Sequence, residues 1–65
     1  MRIRIMRVDA KISQMELGEK LGITFQQIQK YEKGVNRISG GRIMQIAEAL
    51  GTTPHELMGW KSKAN

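Results

Sequence analysis

Sixty-five residues make one small domain, without room for a separate catalytic domain or a long linker. Cysteine is absent and the single His55 has no second His or nearby Cys, which removes disulfides, thiolate metal sites and a zinc set. Eleven Lys+Arg against 6 Asp+Glu, a net +5, suggest a polyanionic partner.

The opening MRIRIMRV alternates arginine with apolar residues, so it lacks the continuous apolar stretch of a signal peptide. No run approaches the roughly 20 apolar residues that span a bilayer, and a soluble cytoplasmic protein with no membrane partner is expected. Charge on every second residue argues against a lone buried strand in RIRIMRV. A first helix is predicted over residues 2–10, with Ile3, Met6 and Ala10 on one face. A second covers 14–21, opened by Ser13-x-x-Glu16, and a third covers 25–33, opened by Thr24-x-x-Gln27 and ended by Gly34. Residues 35–40 form a loop. A fourth helix spans 41–50, with Ser39 as its expected cap, Ile43, Ile46, Ala47 and Leu50 inward, and Gly51 at its end. The fifth is short, 54–58, opened by Thr53-x-x-Glu56 with Pro54 at its first position, where a fixed φ helps and a missing N–H costs nothing. All three motifs match the capping box, in which the hydroxyl accepts from the third residue's N–H and that residue's side chain returns to the cap's N–H. The fold class is all-α with five helices, in one domain over 1–60 and a tail over 61–65.

The most informative stretch is QMELGEKLGITFQQIQKYEK, residues 14–33. Leu17, Leu21, Ile23, Ile28 and Tyr31 supply an apolar inner face. Gly18 sits in mid-helix, where glycine costs about 1 kcal/mol relative to alanine. A second backbone too close to admit a side chain explains that cost. Gly22 falls where a left-handed residue would close the helix, and Ile23 and Thr24 lead straight into the next. Two short helices joined this tightly form a helix-turn-helix, whose second helix enters the DNA major groove.

The pattern resembles the phage repressor and Cro type of helix-turn-helix protein, the xenobiotic-response-element family. RIRIMR resembles the family's first helix, ISQMELGEKLGI its second, TFQQIQKYEKG its recognition helix, and IMQIAEALGTTPHEL its fourth and fifth. Gly18, where alanine is commoner, and Lys11, where glycine often stands, are departures. The resemblance implies a five-helix lambda-repressor-like domain, bacterial or phage-encoded and nucleoid-associated when bound. It implies a ligand of double-stranded DNA, an operator with an inverted repeat, and no cofactor.

With Ile28 and Tyr31 inward, the third helix leaves Thr24, Phe25, Gln26, Gln27, Gln29, Lys30 and Lys33 for DNA. A glutamine amide both donates and accepts, matching adenine N6 and N7, and Gln26 and Gln27 occupy the family's base-reading positions. Base contacts are therefore assigned to Phe25, Gln26, Gln27 and Lys30. Phe25 has two readings of equal weight, packing on a thymine methyl or forming a hydrophobic staple against the second helix. Gln14, first in the second helix, matches the family's phosphate-contacting glutamine, and a helix N-terminus is itself an anion site. Asn36 and Arg37 lie where the family grips phosphates. With Thr24 and Lys33 they complete the phosphate set. Lys30, Lys33, Arg37 and Arg42 against Glu32 leave this stretch at +3, a fitting footprint. The alternative for each polar residue is an ordinary solvated surface.

Leu57, Met58 and Trp60 are expected to form a homodimer surface, since family members often pair through this end. The competing role for Trp60 is completing a thin core. No enzyme site emerges: the six acids are scattered, and Glu32 resembles the family's structural Glu, bonded to backbone or an arginine. The leading function is a sequence-specific DNA-binding transcriptional regulator that represses by occupying an operator. The rival is a protein-binding module, either an antitoxin or an adaptor.

Overall fold

Side chains and turns set the helix ends in this chain by taking up backbone groups that a helix leaves unpaired. The computed structural model describes residues 2–34 and 37–59. Five helices follow in order, α1 (Ile3–Asp9), α2 (Gln14–Leu21), α3 (Phe25–Lys33), α4 (Gly40–Leu50) and α5 (Pro54–Leu57), with no strand among these residues. The hydroxyls of Ser13, Thr24, Ser39 and Thr53 each accept from the N–H three residues on, opening α2 to α5. Only at Ser13 does the reciprocal arm form, where Glu16 Oε1 accepts from the Ser13 N–H at 2.8 Å. The expected boxes at Thr24 and Thr53 are single-armed. At Thr53 the reason is local: Glu56 Oε1 accepts instead from the Thr52 hydroxyl, at 2.9 Å.

α2 stops at Gly22, whose φ of 73° is left-handed, and Ile23 N–H returns to the Gly18 carbonyl at 2.9 Å. α1 ends by the same double-bonded turn. Lys11 N–H donates to Val8 O and Ile12 N–H to Arg7 O, at 3.0 and 3.1 Å. Here the left-handed position falls on Lys11, with φ 59°, the one non-glycine with positive φ among the described residues. α1 is one residue shorter at each end than predicted. Ala10, expected on the inner face, lies in the turn beyond the helix and is exposed.

The core draws on every helix: Ile3, Leu17, Ile28, Ile46, Ala47, Leu50 and Leu57 are buried. Met6, Leu21, Ile23, Tyr31 and Ile43 pack against them. Fully burying one such Leu or Ile contributes roughly 1.5–3 kcal/mol. The N–H of Arg2 donates to the Leu57 carbonyl at 2.8 Å, tying the start of α1 to α5. α2 and α3 meet where the sequence places Gly18. A Cβ there would lie 2.7 Å from the Ile23 carbonyl oxygen and 3.3 Å from Phe25 N. The approaching backbone is the turn that feeds α3.

Candidate nucleic-acid interface

Ile28 is wholly buried, and Tyr31 and Glu32 are half-buried beside it, so the opposite side of α3 is its outer face. Gln26, Lys30 and Lys33 recur there at helical spacing and all three are exposed. Gln27 and Gln29 are half-buried on the two flanks. Phe25, in the first turn, is 36% exposed. Its ring is neither sealed beneath α2 nor fully free, and part of it faces solvent. Hydrogen-bonding amides, two ammonium groups and one partly exposed aromatic ring share this face. This chemistry suits base edges and phosphates.

A chain of hydrogen bonds fastens this face to the domain. Arg7 Nε donates to Glu32 Oε2 at 2.6 Å, with the two side chains 12% and 5% exposed. Arg7 Nη1 also donates to the Ile12 carbonyl, at 2.8 Å. Glu32 Oε1 accepts from Gln14 Nε2 at 2.9 Å, and Gln14 Oε1 accepts from Gln29 Nε2 at 3.2 Å. Glu32 thus bonds to an arginine as the sequence suggests, and the structure identifies it as Arg7. No local pattern signals that partner or the Gln14–Gln29 bond, because the residues lie 25 and 15 positions apart.

Gln14 stands at the first position of α2 as expected, with one amide N–H and its carbonyl already engaged. The same N-terminus is occupied by Glu16. Its carboxyl is held below the ordinary value, first by the Ser13 backbone N–H and then by the Ser13 hydroxyl. Thr24 is exposed and its hydroxyl oxygen accepts from Gln27 N–H at 3.3 Å. Lys33 and Arg37 are exposed. Arg42 is half-buried and its guanidinium donates to the Leu21 carbonyl, at 3.4 Å. Asn36 lies outside the described residues.

Residues 3–57 match the profile of the family described as helix-turn-helix. The chain belongs to the Cro/C1-type helix-turn-helix family. It is 57% identical over 53 residues, 82% of its own length, to an uncharacterized HTH-type transcriptional regulator, y4wC, of Sinorhizobium fredii, of which it spans 37%. An uncharacterized HTH-type transcriptional regulator of Rhizobium meliloti is 57% identical over 49 residues, 75% of this chain and 35% of the relative. A transcriptional regulator in the ATPase CF(0) region of Rhodospirillum rubrum is 49% identical over 49 residues, 75% of this chain and 45% of its own. The chain spans less than half the length of these relatives. No solved structure gives a significant match.

The far end of this helix-turn-helix domain corrects one expectation. Leu57, expected on a dimer surface, is wholly buried, because α5 packs on α4 and turns this side chain into the common core. Met58 is 38% exposed. Trp60 and the tail over 61–65 lie outside the described residues. Among the described residues no three His, Cys, Asp or Glu gather in a way that could hold a metal ion. No described helix is long and apolar enough to cross a membrane.

Proposed function

We propose that the chain is a sequence-specific double-stranded DNA-binding regulator of transcription, with the outer face of α3 in the major groove. The observation that carries this reading is the exposed row Gln26, Lys30 and Lys33, on a helix whose other side is sealed by Ile28. The family assignment and the names of the relatives support it. Gln26 and Gln27 are the base-reading amides, Lys30 reaches base edges beyond them, and Phe25 meets a thymine methyl. Thr24, Lys33, Asn36 and Arg37 hold phosphates, joined by the remaining N–H of Gln14. Repression follows from occupying an operator.

A single recognition helix covers few base pairs, too few to single out one site among roughly 10⁶ or more competitors. A second copy would extend readout to two half-sites about 34 Å apart, and Met58 and Trp60 are the contacts proposed for that pairing.

Binding to a selected operator and to random DNA tests the reading. Gln26→Ala or Gln27→Ala should cost about 1–3 kcal/mol on the operator and little on random sequence. Arg37→Ala should weaken both alike and make the salt slope shallower by about one unit. Equal losses on both DNAs for the glutamine variants would remove them from readout.

A further inference from the structure

Gln29 has no role in this reading, yet the bonds around it fix which end of its amide faces outward. The carboxylate of Glu32 can only accept, and it already receives Arg7 Nε and Gln14 Nε2. Turning the Gln14 amide over would press its carbonyl oxygen against that carboxylate, so Glu32 dictates its orientation. Gln14 therefore shows Oε1 to Gln29, which must answer with Nε2, as it does at 3.2 Å. This leaves the carbonyl of Gln29 as the free end of its amide. That oxygen has no hydrogen-bond partner among the described residues, and no buried side-chain oxygen or nitrogen there is unpartnered. It is open to solvent. Gln29 follows Gln26 by one helical turn and precedes Lys33 by another, at the edge of the exposed row.

We propose that Gln29 is a specificity-determining residue, oriented by Gln14, whose outward carbonyl selects a base presenting an amino donor. In the major groove these donors are adenine N6 and cytosine N4; guanine and thymine present the acceptors O6, N7 and O4 and are rejected. Gln26 differs, since an unconstrained amide can both donate to and accept from adenine. The inference rests on α3 lying in the major groove.

Selection of bound sequences from random double-stranded DNA tests it, scored as base preference at each position. The wild type, Gln29→Ala, Gln14→Ala and Gln26→Ala are compared, with a melting curve for each. The wild type should favour adenine or cytosine at one position by about fivefold, the worth of one hydrogen bond. Gln29→Ala should bring that preference close to onefold and spare the other positions. Gln14→Ala frees the Gln29 amide to rotate, so guanine and thymine should rise at the same position. Any uniform loss of phosphate affinity leaves base preference unaffected. Gln14→Met, similar in length, replaces Gln14→Ala should the latter fail to fold. An unchanged preference in Gln29→Ala overturns the proposal, as does a Gln14 variant that still excludes guanine and thymine. If Gln26→Ala alters its own position and Gln29→Ala alters none, only this inference fails. If neither alters any position, the groove placement fails with it.

Discussion

Alanine at Gly18 is the smallest change that probes the contact between α2 and the turn into α3. In an open helix the substitution would stabilise by about 1 kcal/mol, the propensity difference between the two residues. At Gly18 the added carbon would meet the Ile23 carbonyl oxygen at 2.7 Å and the Thr24 carbonyl carbon at 3.3 Å. Both are backbone atoms. They cannot swing aside like a side chain, because Ile23 N–H is bonded to Gly18 O and Thr24 caps α3. The turn as a whole must shift, and overpacking of this kind costs typically 1–3 kcal/mol. Set against the propensity gain, the net is a destabilisation on the order of 1 kcal/mol, or roughly 4–8 °C in Tm for a domain of this size. Gly41→Ala is the matched control, since nothing lies within 4 Å of a Cβ there. Thermal melting followed by circular dichroism should show Gly18→Ala below the parent and Gly41→Ala at or above it. A Gly18→Ala protein that melts with the control would refute the close approach.

Three further outcomes follow from the same structure. Lys11→Gly should raise stability by roughly 0.5–1 kcal/mol in urea unfolding, since relief of a left-handed side chain outweighs glycine's entropy, whereas Lys11→Val should lower it. Arg7→Ala leaves the Glu32 carboxylate, 5% exposed, without its cation. That costs about 3–5 kcal/mol, comparable to what a core this size contributes, so loss of the cooperative melt is expected and a parent-like melt would contradict it. Glu16 has a folded value below its ordinary 4.5, so its contribution is complete above that value and is lost as pH falls through the lowered one. Glu16→Gln keeps the cap without titrating, and its stability should decline less as pH falls from above 4.5 through the lowered value.

Periodicity and capping are local, which is why α2, α3 and the Ser39 cap of α4 were legible in the residues. Gly18 was legible for a different reason: a mid-helix glycine is unfavourable unless something requires it. What the sequence could not display is which distant groups meet. Arg7 looked like one of several basic residues in an alternating segment, and only the packing of α1 on α3 makes it the partner of Glu32. Leu57 read as surface because a four-residue helix has no face of its own to reveal what covers it. Phe25, Gln26 and Lys30 were found on α3 because one apolar stripe defines its inner side. The fixed polarity of Gln29 depends on a route through three other side chains, each from a different part of the chain.

The bond from Arg2 N–H to the Leu57 carbonyl joins the two ends of the described chain, and it bears on how the domain opens. Closing so long a loop costs entropy that only long-range contacts repay. Ile3 and Leu57 are both buried in the same core, so α1 cannot lift away without exposing α5. Both end helices also pack on α4, so this bond and the shared core couple the opening of α1 to that of α5. In native-state hydrogen exchange the amides of Arg2 and Leu57 should share one opening free energy, although they stand at opposite ends of the sequence.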